Sequence, residues 1–148
     1  MIMMTTFSSR VLVATQLGLL VALAIPGADL HFSPLGAGFL LPGVALGFWA
    51  AAMIGIRRVR IMPEPGANLP LVRRGPYRWI RHPMYTAVTL ATLGWLLCNF
   101  SWPRLACWLA LLPVLILKAA REERLLAAQH PDYRAYQATS WRFIPWVW

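Results

Sequence analysis

The sequence predicts an all-α integral membrane protein, a bundle of about four transmembrane helices with a basic cytoplasmic loop and an interfacial helical tail. Its residues are 59% hydrophobic and only 13% charged, whereas soluble domains contain roughly 25% charged residues. Long uncharged stretches recur along the chain, and arginines are concentrated in one segment between them. We therefore expect a single membrane domain over residues 1–148.

The first two predicted spans are residues 11–28 and 35–56. They lie in uncharged runs bounded by Arg10, Asp29 and Arg57, and each run is close to or above the ~18 residues that indicate a transmembrane helix. Their short connection favours a hairpin of two spans. Arg10, the apolar run and the small residues near Gly27 also fit a cleaved signal peptide, so both interpretations of the first segment stay open.

The third and fourth predicted spans are residues 83–100 and 103–121. The apolar core of the fourth, residues 105–117, is shorter than the ~20 residues that cross a bilayer. It becomes long enough if the helix begins at Pro103 and Lys118 extends toward the headgroups. Residues 99–103 would then form the turn between the two helices.

Arginine distribution predicts the orientation. The loop at 57–82 contains seven arginines against Glu64 as its only acidic residue, whereas Asp29 follows the first span without a nearby Lys or Arg. Positive residues stay on the cytoplasmic side, so we expect this loop, both termini and the tail at 122–148 to face the cytoplasm. The net charge of +9 then reflects topology and attraction to anionic lipid, and no segment resembles a nucleic-acid module.

Metal and acyl-enzyme chemistry find no support in the sequence. The three histidines, His31, His82 and His130, are scattered, and Cys98 and Cys107 lie in apolar runs without metal-ligand spacing. We interpret both cysteines as small hydrophobic residues. The chain has neither a phosphate-binding glycine loop nor a nucleophile elbow.

The most informative segment is residues 75–85, which places arginines, aromatics and a histidine against the start of the third span. Ionisable groups at this depth often mark a ligand site. His82 precedes Pro83, which suits the first turn of a helix, so His82 is either a simple N-cap or a ligand contact. Trp79 and Tyr85 are either interfacial belt residues or part of the same site.

A second candidate lies on the continuation of the fourth helix. Glu122 is one turn beyond Lys118 and favours a surface ion pair. The helical neighbours of Glu123 are alanines and a leucine, and an unpaired carboxylate on an apolar face is costly. We expect Glu123 to meet a cation, either a ligand or an arginine of the basic loop, or to reach headgroup water.

Taken in order, these residues resemble the isoprenylcysteine carboxyl methyltransferase family and the related membrane enzymes that methylate phospholipid amines. The resemblance extends from about residue 71 to the C-terminus, and the first two spans show no comparable signature. It rests on an ordered set of residues: Gly75, Tyr77, Arg81, His82, Pro83, Tyr85, Glu122, Glu123, Leu126, Tyr133, Tyr136, Arg142, Phe143, Ile144 and Pro145.

The resemblance implies S-adenosylmethionine as cofactor and a lipophilic acceptor that arrives from the bilayer. It implies catalytic roles for Arg81 and His82, and substrate contacts for Arg81, Trp79 and Arg142. The cofactor-binding residues that it implies are His82, Tyr85, Glu122, Glu123, Tyr133 and Tyr136.

We expect carboxyl O-methylation of the isoprenylcysteine type, with N-methylation of a phospholipid amine as the alternative. An NADPH-dependent enzyme of the sterol-reductase type and a non-catalytic membrane protein are the remaining classes. The expected partners are the lipophilic substrate and membrane lipids, without nucleic acid. The acceptor and the oligomeric state stay open at this point.

Overall fold

The computed structural model describes residues 2–27, 31, 33–55 and 71–146, with side chains from residue 9 onwards. Over these ranges the chain is helical and contains no β-strand, which confirms the all-α prediction. Residues 57–70 of the predicted basic loop lie outside the described residues. The helices are α1 (Ile2–Ala24), α2 (Pro34–Ile54), α3 (Pro83–Cys98), α4 (Trp102–Gln129) and α5 (Tyr133–Ala138), with a 3-10 helix at Gly75–Arg78.

Two of the described helices are long and apolar enough to cross a membrane, α2 with 21 residues and α4 with 28. The described apolar part of α1 and the whole of α3 are shorter apolar helices. At 1.5 Å per residue α4 is about 42 Å long, which exceeds the ~30 Å hydrocarbon layer. Helix α4 is therefore longer than the hydrocarbon layer, and Glu122 and Glu123 lie in its last turns.

Helices α2 and α3 pack against each other through glycines. A Cβ at Gly94 would lie 2.3 Å from the Leu40 nitrogen and 2.5 Å from the Gly36 oxygen, and a Cβ at Gly43 would lie 2.5 Å from the Ala91 nitrogen. Small residues at these positions let the two backbones approach each other, as in many membrane helix pairs. The contact holds α3, and the residues just before it, in a definite position on α2.

Helix α1 packs on α4 around a small apolar core of Leu23, Leu111 and Leu115. Lys118 continues this buried face of α4. The prediction that Lys118 extends toward the headgroups is wrong, because its side chain is buried and its Nζ donates to Gln16 Oε1 of α1. A polar partner on α1 explains the difference, since a lysine that finds an acceptor inside the bundle does not need to reach water.

At the end of the bundle opposite Lys118, Arg104 joins α1 to the turn between α3 and α4. Its guanidinium donates to the Ile25 carbonyl at 2.9 Å and to the Asn99 carbonyl at 3.2 Å, and the Gly27 N–H donates to Asn99 Oδ1 at 3.2 Å. These bonds satisfy carbonyls at helix ends that would otherwise lack partners. The predicted turn at 99–103 is therefore also the point where α1 is secured to the α3–α4 pair.

The helix contact generates a stability prediction. We expect Gly94→Ala to lower the melting temperature in detergent by several degrees, since backbone atoms of α2 must move to admit the methyl group and overpacking costs about 1–3 kcal/mol. Gly38→Ala is the matched control, because a Cβ at Gly38 would meet nothing within 4 Å. Equal melting temperatures for the two variants would contradict the tight α2–α3 contact.

Candidate active site

The C-terminal tail folds back along the residues that precede α3. The Arg81 N–H donates to the Trp141 carbonyl at 2.7 Å, the His82 N–H donates to the Arg142 carbonyl at 3.1 Å, and the Trp141 N–H donates to the Trp79 carbonyl at 2.9 Å. This parallel pairing joins parts of the chain that are about sixty residues apart. It brings Arg81 and His82 together with the Arg-Phe-Ile-Pro segment at residues 142–145.

The 3-10 helix that leads into this junction requires glycine at its start. Gly75 has φ of +60°, and a Cβ there would lie 2.6 Å from Met53 Cγ of α2. Only glycine adopts this conformation at so close an approach without strain. Gly75 therefore determines how the segment enters the site from the side of α2.

His82 occupies the N-cap position of α3, but its side chain makes no capping hydrogen bond. Its Nε2 lies 3.2 Å from Glu123 Oε1, and its Nδ1 lies 3.6 Å from Glu122 Oε2. The ring is buried between the two carboxylates of α4. The simple N-cap interpretation thus accounts for the backbone of His82 only.

Glu123 is buried and binds three cationic side chains. It accepts from Arg81 Nε at 2.9 Å, from Arg142 Nη2 at 2.5 Å and from Arg142 Nε at 3.2 Å, in addition to its contact with His82. Its side chain is 5% exposed. The expected cation is therefore protein-derived, with Arg81 from the basic loop and Arg142 from the tail.

Arg81 has further partners in the tail. Its Nη1 donates to the Gln137 carbonyl at 3.1 Å and also to the Ser140 carbonyl. A guanidinium presents its donors in a fixed planar fork, so one side chain joins α4 to the residues after α5. This contact gives Arg81 a structural role that the sequence pattern did not indicate.

Glu122 is the more open of the two acidic residues. Tyr85 OH donates to Glu122 Oε2 at 3.0 Å, and the Tyr85 ring stacks on the His82 ring at 5.4 Å between centroids. The side chain of Glu122 remains 31% exposed. Phe143 of the tail covers another side of His82 at 5.8 Å.

Tyr133 and Tyr136 of α5 are buried and meet edge to face at 5.9 Å. Tyr136 OH donates to the Tyr77 carbonyl of the 3-10 helix at 2.5 Å, and the Arg73 guanidinium lies 5.6 Å from the Tyr136 ring centroid. Burial raises the pKa of Tyr136 to about 12, so its hydroxyl stays a neutral donor. Tyr136 thus joins α5 to the segment that leads to His82, and Tyr133 packs against Tyr136.

Trp79 lies toward α2, where its half-exposed ring meets Trp49 at 6.4 Å in an edge arrangement. The structure thus brings eight of the nine predicted site residues into one connected set around α4, and Trp79 joins that set through its backbone bond to Trp141. Among the described residues no group of three or more His, Cys, Asp and Glu side chains could hold a metal ion, and Cys98 and Cys107 are free thiols.

The protonation of His82 follows from its two acidic neighbours. Burial alone would lower the pKa of His82, but hydrogen bonds to Glu122 and Glu123 and the charges of both carboxylates outweigh burial. The pKa of His82 is therefore raised above its ordinary value near 6.5. The two carboxylates thus favour the protonated form of the imidazole.

A family model of phospholipid methyltransferases matches residues 33–132, about two thirds of the chain. The chain therefore belongs to this family, which includes the isoprenylcysteine carboxyl methyltransferases, and it is a membrane methyltransferase that acts on lipid-like substrates. Members of the family use S-adenosylmethionine as methyl donor. Neither the search of curated proteins nor the search of solved structures found a match.

The matched range corrects one expectation from the sequence. It begins at Ser33 and so contains all of α2, whereas we expected the first two spans to carry no family signature. It ends at Asp132, so Tyr133, Tyr136 and Arg142 lie beyond it. Arg142 nevertheless binds Glu123, which lies within the matched range.

The unequal surroundings of the two glutamates generate a prediction. We expect Glu123→Gln to lower the free energy of unfolding by about 3 kcal/mol, because removal of a buried anion leaves its cationic partners uncompensated. Glu122→Gln is the matched control and should stay within about 1 kcal/mol of the wild type, since Glu122 is partly solvated. Denaturant unfolding in mild detergent measures both, and equal destabilisation would contradict this distinction.

The raised pKa of His82 generates a prediction on pH. A group whose pKa is higher in the folded protein stabilises it fully below the unfolded pKa, near 6.5, and loses this effect as pH rises through the folded pKa. Between about pH 6 and about pH 9, the melting temperature of the wild type should therefore fall by more than that of His82→Gln. Parallel pH profiles would show that His82 does not gain protons on folding.

Proposed function

We propose that this methyltransferase transfers a methyl group from S-adenosylmethionine to the carboxylate of a lipophilic acid at the cytoplasmic membrane surface. The main supporting observation is the burial of His82 between Glu122 and Glu123, whose carboxylates face both ring nitrogens and leave neither nitrogen free to act as a base. Methylation of a carboxylate requires no base, because the acceptor oxygen is already an anion. The isoprenylcysteine type of acceptor fits this chemistry.

We propose that α1 and α3 cross the bilayer together with α2 and α4. The concentration of arginines at 57–82 then puts the loop, the termini and the site on the cytoplasmic side. Glu123 lies about 30 Å from the first residue of α4 at 1.5 Å per residue. This distance matches the hydrocarbon thickness, so a lipid acceptor and a water-soluble cofactor would meet near Glu122.

The residues of the site fit S-adenosylmethionine by their chemistry. The cofactor has a positively charged ammonium and sulfonium, a carboxylate and ribose hydroxyls, and when bound it supplies an activated methyl group. Glu122 offers a partly exposed carboxylate for the ammonium or a ribose hydroxyl. Tyr85, His82 and Phe143 form an aromatic wall beside Glu122.

Within this proposal the nine residues have different roles. Glu122, Tyr85 and His82 face the cofactor, while Glu123 and Arg81 hold the tail against α4 and thereby exclude water. Tyr133 and Tyr136 pack against each other and support the 3-10 helix through the hydrogen bond of Tyr136. Arg142 and Trp79 are the residues we assign to the acceptor, Arg142 because its charge suits a carboxylate and Trp79 because its exposed indole suits lipid.

N-methylation of a phospholipid amine is the second candidate, and the description of the matching family model favours it. An ammonium must lose a proton before it can accept a methyl group. Glu122 is the group that we would assign to this proton, because it is partly exposed, whereas both ring nitrogens of His82 face carboxylates. Glu122→Gln would then abolish transfer to an amine even when the cofactor still binds.

Cofactor binding is the first prediction from this proposal. Purified protein in detergent should be stabilised by S-adenosylhomocysteine, by about 2.7 kcal/mol at one hundred times the dissociation constant, whereas NADPH should have no effect. Glu122→Gln should weaken the stabilisation by S-adenosylhomocysteine. Stabilisation by NADPH and not by the homocysteine derivative would indicate reductase chemistry and overturn the proposal.

The chemistry of the product distinguishes the two acceptors. Protein incubated with methyl-labelled S-adenosylmethionine and either a prenylated cysteine acid or phosphatidylethanolamine should label the acid. The label should leave as methanol in mild base, because methyl esters hydrolyse and N-methyl groups do not. Base-stable label in phosphatidylethanolamine would instead establish the second candidate.

A further inference from the structure

Lys118 and Gln16 form a buried polar contact between α4 and α1 that lies outside the cluster around Glu123. The side chain of Lys118 is 1% exposed and that of Gln16 is 7% exposed, and Lys118 Nζ donates to Gln16 Oε1. A lysine inside a membrane bundle is expensive and usually has a functional reason. The apolar core of Leu23, Leu111 and Leu115 could otherwise continue through this position.

The same lysine reaches the site through Tyr85. Its Nζ lies 5.5 Å from the centroid of the Tyr85 ring, within the range of a cation–π contact. Tyr85 OH donates to Glu122, and the Tyr85 ring stacks on His82. Contacts therefore run without interruption from Gln16 through Lys118 and Tyr85 to Glu122.

Helix α1 presents two polar residues, Ser9 and Gln16, to the inside of the bundle. Ser9, Gln16 and Leu23 recur every seven residues and all three are buried, whereas Val11, Leu17 and Val21 are exposed. An α1 that only filled space in the membrane would need apolar residues on its buried face. This helix also lies outside the residues that the family model matches.

We propose that Lys118 is a positioning residue which, held by Gln16, fixes the Tyr85 ring and so aims the Glu122 carboxylate at the cofactor. The hydrogen bond to Gln16 immobilises a long flexible side chain, and the amine over the ring restricts how Tyr85 can turn. Helix α1 is on this basis a part of the active centre. The inference rests on the proposed function, because it takes Glu122 as a cofactor ligand.

The test is the affinity for S-adenosylhomocysteine, measured by calorimetry on the full chain in detergent. We expect Lys118→Met to raise the dissociation constant about tenfold and Gln16→Leu to raise it by a smaller factor, as for coupled neighbouring residues. The matched controls are Leu117→Met and Leu17→Met, which change exposed neighbours on the same two helices. Both controls should bind as the wild type does.

Coupling distinguishes positioning from a general loss of stability. Tyr85→Phe removes only the hydroxyl that reaches Glu122, so adding Lys118→Met to it should weaken binding little further. Lys118→Arg keeps a cation over the ring and should restore part of the affinity. If Lys118→Met does not fold, Gln16→Leu and Lys118→Arg still measure the coupling.

The outcomes separate this inference from the proposed function. If the wild type binds S-adenosylhomocysteine and both Lys118→Met and Gln16→Leu bind it with the same affinity, the positioning role is overturned. The proposed function then stands. Fully additive effects of Lys118→Met and Tyr85→Phe would overturn the role of Tyr85 as the link. A wild type that does not bind S-adenosylhomocysteine at all would overturn the proposed function together with the inference.

Discussion

The contact of the Glu123 carboxylate with Arg81, His82 and Arg142 is the interaction on which the site depends. It joins α4, the start of α3 and the C-terminal tail, which are three separate segments of the sequence. A buried anion tolerates this position only when cations and hydrogen bonds compensate its lost hydration. The backbone pairing of Ile80 with Trp141 supports this contact, because it brings Arg142 within reach of α4.

Neighbouring glutamates on one helix have different surroundings here, and this difference organises the proposed chemistry. Successive helical residues point about 100° apart, so Glu123 faces the tail while Glu122 faces Tyr85 and remains partly exposed. The Glu123 carboxylate, which protein side chains already bind, fixes the framework. The more open carboxylate of Glu122 is available to a ligand. His82 contacts both, so its ring joins the framework to the more open carboxylate.

Membrane burial accounts for the arrangement of the remaining polar groups. Arg104 secures one end of the helical bundle through the carbonyls of Ile25 and Asn99, and Lys118 bonds to Gln16 nearer the other end. Between them the α1–α4 contact is apolar. These two polar side chains therefore both have partners, as the cost of unpaired polar groups away from water requires.

The sequence by itself determined the all-α class, the starts of α3 and α4 at Pro83 and near Pro103, and the resemblance to membrane methyltransferases. Hydropathy, proline placement and motif order are local properties that can be identified without coordinates. It also indicated that Glu123 would need a cation, because its helical neighbours are apolar. Tertiary structure alone decided that Arg81 and Arg142 supply this charge and that Lys118 is buried against Gln16. Partners of this kind depend on the path of the tail and on the rotation of α1 against α4, which are set by packing between distant segments.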